Sequence, residues 1–417
     1  MPTLITAALH RLNQEAAVNW KRTLYVTFVA EMLALLGFSS VFPFLPLYVK
    51  ELGTHTGLSI ELLAGLVYSL PALVMAIASP IWGALADRYG RKLMLGRAMF
   101  GGAVILLLMS FANSAEQLLA LRVAQGLITG TIGAANALVA SVAPREHTGY
   151  AMGLLQVGLG TGLALGPLLG GTVADAVGYY AAFYVTAALL LIAGILVWRG
   201  VDEQFVPTKA SGERGSLLAG WRRVLAATGV ITTYGLRFAT QMGRMMILPV
   251  APLFIQTLLI GTNRVNTVTG LVVGVSSATL TVSAVVLGRL GDRTGHRRIL
   301  TISSALAALF YLAQTFVGTA WQLLLLQAMV GVCMGGIIPA ISALLARYTQ
   351  VGEAGTTYGI DNSVTAAAGA VAPLLGAAVA AQFGLRAAFG ASGLVFLAVG
   401  GLAGLALPAP HRPRRER

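Results

Sequence analysis

The chain has 417 residues, of which 57% are hydrophobic and only 10% charged, and it carries a formal net charge of +13. A soluble domain holds about 25% charged residues, so a water-soluble globule is excluded. With a mean hydropathy of +0.79 the chain reads as an all-α polytopic membrane protein. The lone Cys333 provides neither a disulfide framework nor a metal site.

Residues 1–22 are mixed polar and lack a signal-peptide profile. Leu4, Ile5, Ala8, Leu9 and Leu12 share one helical face, which leaves an interfacial helix and plain disorder both open. A window of about 20 residues, enough for about 30 Å of hydrocarbon, then gives twelve apolar spans. They cover 23–49, 60–84, 93–113, 117–142, 149–175, 179–199, 224–258, 265–290, 299–318, 321–346, 354–381 and 386–407. None alternates apolar and polar residues as barrel strands do. A polar stretch at 200–223 separates two six-span halves, 23–199 and 224–407, and residues 408–417 form a basic tail.

With both chain ends on one side, the loop and tail arginines and lysines fall on that side, all but Lys50, Arg264 and Arg386. The positive-inside rule therefore places both termini in the cytoplasm. The basic charge is a topology signal, and nucleic acid is not an expected partner.

Several segments carry chemistry. Glu31 lies in the first span, about 12 Å from its cytoplasmic end at 1.5 Å per residue. Between the second and third spans, Gly83-Ala-Leu-Ala-Asp87-Arg88-Tyr-Gly90-Arg91-Lys92 is a tight interfacial turn held by small and basic residues. The fourth span contains Arg122, Gln125 and Gly126, and the fifth contains Gly158, Gly160, Gly162, Gly166, Pro167, Gly170 and Gly171. In the seventh, Arg237, Gln241 and Arg244 at i, i+4 and i+7 share one face, a face expected to look into a central cavity. Asp361 lies in the eleventh span at the depth of Glu31 and Arg237.

The two halves repeat each other. Gly83–Gly90 returns as Gly288-Arg-Leu-Gly-Asp292-Arg293-Thr-Gly295 after 205 residues, and Gln117–Gly130 returns as Gln322–Gly335 at the same offset. Pro43, Pro46 and Leu47 return as Pro249, Pro252 and Leu253 after 206 residues, and Ala181-Ala-Phe183 as Ala387-Ala-Phe389. Internal duplication of six spans places a substrate path between the halves.

The Gly83–Lys92 loop resembles the signature loop of the major facilitator superfamily. The run Leu118-Leu-Ala-Leu-Arg122-Val-Ala-Gln125-Gly126 and the glycine string Gly158–Gly171 resemble motifs of its twelve-helix drug:proton antiporter branch, as does Leu36-Gly37 followed by Pro43-Phe-Leu-Pro46. The resemblance implies two pseudo-symmetric six-helix bundles. It implies a conformational latch at Gly83, Asp87, Arg88, Gly90 and Arg91, with a second at Asp292 and Arg293 where His296 replaces the arginine. It further implies proton-coupled efflux of lipophilic, cationic or neutral small molecules by alternating access, in a bacterial inner membrane, by a monomer without cofactor.

Ionisable groups at membrane depth mark substrate or ion paths by default. Glu31 and Asp361 face one arginine, Arg237, in the same layer, which leaves a surplus acid able to load and release protons. Glu31 is the first candidate for that role and Asp361 the second, with Arg122, Gln125, Arg237, Gln241 and Arg244 as polar companions. In straight helices Arg122 sits too far out to pair with Glu31. Phe38, Phe42, Phe44, Tyr68, Met242, Met245, Met246 and Tyr358 are expected to line a cavity suited to loose recognition. Alternatives are an exporter of a specific metabolite, siderophore or lipid, which the three arginines favour, and a proton-coupled importer of a sugar or organic acid. An enzyme is not expected, since His10, His55, His147, His296 and His411 fall in tails or loops and no Gly-x-x-x-x-Gly-Lys run is present.

Overall fold

Apolar runs of this length satisfy their backbone groups internally only as helices. The computed structural model describes residues 20–144, 147–203, 224, 229–259, 261, 262, 264–348 and 354–405. Residues 1–19 of the expected N-terminal segment 1–22, residues 204–223 of the linker, the tail 408–417 and the side chains of Asp87 and Tyr358 lie outside the described residues. Among the described residues there are fifteen α-helices and no strand.

The first half comprises α1 (Trp20–Ser40), α2 (Leu45–Leu52), α3 (Ile60–Tyr89), α4 (Arg91–Met109), α5 (Ala115–Ile128), α6 (Thr131–Val142), α7 (Thr148–Val177) and α8 (Tyr179–Gly200). The second comprises α9 (Val230–Met245), α10 (Ala251–Leu258), α11 (Val265–Thr294), α12 (His296–Gln314), α13 (Ala320–Tyr348), α14 (Ala354–Phe383) and α15 (Leu385–Leu405).

Three of the expected spans are each broken in two. The first divides between α1 and α2 around Pro43, whose missing N–H and fixed φ interrupt the ladder, and the seventh divides between α9 and α10 around Pro249. These are repeat positions, so the break is duplicated with the half. The fourth divides at Thr129-Gly130, where Gly130 takes φ +140°.

Ten helical stretches are long and apolar enough to cross a membrane. Outside that set are α12, whose first turn holds His296, Arg297 and Arg298, and the α9–α10 pair, each member too short alone. Large apolar side chains such as Val282, Val286, Leu309, Phe316, Leu325 and Leu397 are exposed. On a chain this poor in charge, such a belt is a lipid-facing surface.

Helix joints repeat as well. Gly90 and Gly295, 205 residues apart, take φ +101° and +99° between antiparallel helices, a conformation that a side chain would strain. At one end of the bundle, the backbone N–H of Ala115 donates to Gly53 O and Arg386 donates to Thr315 O and Val317 O. At the other end, Lys92 Nζ donates to Val201 O, and its repeat-mate Arg297 donates to Ala403 O.

Each half has its own apolar core. Leu45, Leu63, Leu106 and Phe183 belong to the first, and Phe254, Leu323, Ile337 and Phe396 to the second. Two long helix pairs join the halves, α7 with α11 and α3 with α14, and the short helices α2 and α10 also meet. Under the internal repeat each long pair is the image of the other.

Candidate functional site

Glu31 projects from α1 and is 1% exposed. The break at Gly130 starts a new helix beside it, and Thr131, in the first turn of α6, donates its hydroxyl to Glu31 Oε1 at 2.8 Å. Glu31 Oε2 is buried without a hydrogen-bond partner, and Glu31 has no cation within ion-pair reach among the described residues. A carboxyl in that position is stabilised by one hydroxyl and the positive end of a short helix.

Asp361 on α14 has a different environment. Arg237 Nε donates to its Oδ1 at 2.9 Å and Arg237 Nη2 to its Oδ2 at 2.7 Å, a two-pronged ion pair. Arg237 Nη2 also donates to Ser342 Oγ at 3.0 Å. Arg237 therefore ties α9 to α13 and α14 inside the second half. Its carboxylate partner lies within its own half.

Arg122, 6% exposed, donates through Nε to Val67 O at 3.2 Å and through Nη1 to Gln125 Oε1 at 2.6 Å. Its guanidinium lies 5.9 Å from the centre of the Tyr68 ring, and the Tyr68 hydroxyl donates to Phe42 O at 2.7 Å. The guanidinium joins α5 to α3, and Tyr68 carries the link to the α1–α2 turn. Arg244 Nε is buried without a partner, close to Tyr311. Gln241, Met242 and Met245 are half-buried on the same helix.

Among the expected cavity aromatics, Phe44 is a core residue, while Phe38 is half-buried. Phe44 is fully buried against Phe183 at 5.3 Å and Tyr179 at 5.5 Å. Phe38 packs towards α4, where a Cβ on Gly102 would come within 3.1 Å of its ring. The helix break places Phe44 in the core of the first half. Met246 is buried, with its backbone against Gly376.

The glycines of α7 divide by face. Gly158, Gly162, Gly166 and Gly170 form an i, i+4 stripe against Phe28, Leu36, Ser39 and Ser40 of α1, and Ser39 Oγ donates to Gly162 O at 2.9 Å. Gly171 lies on the other side, against Asn266 and Thr267 of α11, and Gly270 of α11 rests on the Pro167 carbonyl. One helix thus packs backbone to backbone on its own half and on the opposite half.

At the first loop motif, the backbone N–H groups of Arg91 and Lys92 donate to the Glu203 carboxylate at 3.0 and 2.8 Å. Glu203 is the acceptor that reading the linker by composition missed. Its only sequence signal is an acid just past the last apolar residue of the sixth span. Arg88 lies over the Tyr89 ring, and Gly83 faces open space. In the second copy Asp292 pairs with His296 Nε2 at 3.2 Å, while Arg293 is exposed. His296 is a correction to the loop assignment, since it is buried and opens α12.

The family model described as Major Facilitator Superfamily matches residues 27–236 and 233–417. The chain belongs to the major facilitator superfamily. It is 38% identical over 384 residues to multidrug resistance protein MdtG of Serratia proteamaculans (strain 568), covering 91% of this chain and 92% of that protein. It is 37% identical over 380 residues to the protein of the same name from Salmonella newport (strain SL254), covering 90% and 93%. Among solved structures, the nucleoside transporter NupG superposes with a TM-score of 0.75 at 12% identity, covering 91% of this chain and 99% of that one. A bacterial homolog of the human lysosomal transporter Spinster, inward-facing and occupied, gives 0.74 at 13%, covering 92% and 96%. Those two likenesses are of fold alone. As a member of this superfamily the chain is a membrane transporter.

Proposed function

We propose that this transporter is a drug:proton antiporter that exports lipophilic cationic or neutral small molecules from the cytoplasm by alternating access. Two six-helix halves, 23–199 and 224–407, enclose the path. Both termini lie in the cytoplasm, which makes the end of the bundle bearing Gly53 and Gly178 the outer end. The membrane is a bacterial inner membrane, the working unit is a monomer, and the proton gradient supplies the driving force without a cofactor.

The observation that carries the reading is the contrast between two buried acids. Asp361 is held by Arg237, whereas Glu31 has a hydroxyl on one oxygen and nothing on the other. Glu31 is the carboxyl free to exchange a proton, and Arg237–Asp361 is a structural tie. The likeness to proteins named for multidrug resistance supports the substrate class. Arg244, whose Nε is buried without a partner among the described residues, favours a second reading, export of a specific anionic metabolite.

The test uses proteoliposomes with an imposed pH gradient, a pH-sensitive dye inside and ethidium as the added probe. Ethidium-dependent proton flux that disappears in Glu31→Gln is the expected result. Undiminished flux in Glu31→Gln would remove Glu31 from the mechanism.

A further inference from the structure

The eighth membrane span, α11, begins without a cap of its own. Its N-cap residue is Arg264, which supplies no side-chain acceptor, so the first free backbone N–H groups need an oxygen from elsewhere. That oxygen comes from the opposite half. Asp175, near the C-terminal end of α7, accepts from Asn266 N at 3.2 Å and Asn266 Nδ2 at 2.7 Å through Oδ1, and from Thr267 N at 2.6 Å through Oδ2. Asn266 Nδ2 also lies 3.4 Å from the Tyr179 hydroxyl. A carboxylate on the N-terminus of a 30-residue helix receives charge-assisted hydrogen bonds and a favourable helix dipole together.

The location gives this cap a second consequence. The other hydrogen bonds between the halves, among the described residues, are Lys50 Nζ to Gln256 Oε1 at 2.7 Å and Leu374 N to Ser69 Oγ at 3.1 Å. All of them lie at the outer end or in the outer half of the membrane on the topology proposed above. At the image of the Asp175 contact, α3 caps itself, with Ser59 accepting from Leu62 N. The residue 206 positions after Asp175 is Ala381. The carboxylate cap is therefore present at one of two otherwise equivalent contacts.

We infer that Asp175 is the clasp of the outer gate, closing it by capping the eighth span in trans. In an outward-open state the ends of α7 and α11 separate. The two backbone donors of α11 then lose their acceptor, and the charge loses its helix terminus. Asp175 thereby sets the balance between the two access states. The inference rests on alternating access and on the proposed orientation, but on neither the substrate nor the proton.

The experiment places spin labels at Leu58→Cys and Thr262→Cys, exposed sites in the outer loops of the two halves, in a Cys333→Ser background. Distance distributions are recorded in lipid nanodiscs at one pH without substrate. Asp175→Ala is expected to raise the ratio of the long-distance to the short-distance population about tenfold, while Glu51→Gln, an acid at the same end outside the clasp, leaves it unchanged. Adding Arg264→Ser to Asp175→Ala gives α11 a cap in cis, which restores any stability lost with the carboxylate, and the long-distance population is expected to remain raised. An unchanged distribution in Asp175→Ala would overturn the inference. So would a return to the wild-type distribution in the double variant, since that would make Asp175 a helix cap and no more. Because no transport is measured, failure of the antiport reading leaves this result standing, and the reverse also holds.

Discussion

Two adjacent glycines on α7 should respond differently to the same added methyl group. At Gly170 a Cβ would lie 2.5 Å from the Ser40 carbonyl carbon and 2.7 Å from its Cβ, against an ordinary contact of 3.4–4 Å. α1 and α7 would have to part by about 1 Å within one half. Overpacking of this kind costs about 1–3 kcal/mol, and the better helix propensity of alanine returns about 0.5–1 kcal/mol. Gly170→Ala is therefore destabilising by up to about 2.5 kcal/mol. Gly153, on the same helix with nothing within 4 Å of its Cβ position, keeps the propensity gain alone, so Gly153→Ala is stabilising. At Gly171 the Cβ would lie 2.7 Å from the Asn266 carbonyl carbon and 3.2 Å from Thr267 Cα, but these belong to the other half, which moves as a body. Gly171→Ala should leave the melting temperature near that of wild type and shift the access states outward instead. Thermal melting followed by size-exclusion chromatography, with the outer-loop distance measurement alongside, reads both effects. The reasoning fails if Gly170→Ala and Gly153→Ala melt together, or if Gly171→Ala costs as much stability as Gly170→Ala.

The other two predictions concern ion pairing and capping. Arg237→Met leaves Asp361 buried without its cation and should cost about 3–5 kcal/mol, seen as a lowered melting temperature. Arg237→Met with Asp361→Leu should recover most of that loss, and a double variant no more stable than the single one would refute a structural role for the pair. Glu203→Ala removes the acceptor of the Arg91 and Lys92 N–H groups, worth about 1 kcal/mol. Faster hydrogen exchange confined to the first turn of α4 is expected, and unchanged exchange there would rule out Glu203 as its cap.

Hydropathy made the helical class legible, and the repeat offsets made the duplicated architecture legible. The glycine string announced close helix approach, though not that Gly170 and Gly171 serve different neighbours, since that depends on rotation about an axis. A window sum is blind to a break whose flanks are all apolar, so the divisions at Pro43, Gly130 and Pro249 went unseen. Depth arithmetic put Glu31, Arg237 and Asp361 in one layer but carries no azimuth, and azimuth decides which acid the arginine meets. The same lack of rotation placed Phe44 in a cavity when it lies in the core of its half. Asp175 had no local signal at all, because its partners, Asn266 and Thr267, are 91 and 92 residues away.

The position of Glu31 constrains how a proton there can matter. It sits within the first half, on α1 against α6, and not at the contacts between halves. A ligand shifts a conformational equilibrium only by its differential affinity for the two states, so the state of this carboxyl must reach the moving interface through packed elements. The route of least compliance runs along α1 to α7. There Gly162, Gly166 and Gly170 bring the α7 backbone against the α1 backbone, leaving little side chain to absorb a displacement. From the far side of α7, Gly171 and the Pro167 carbonyl bear on α11 at the contact that Asp175 closes. A methyl group at Gly171 and the loss of the Asp175 carboxylate therefore act on the same contact. Both should weaken the outer closure without touching Glu31.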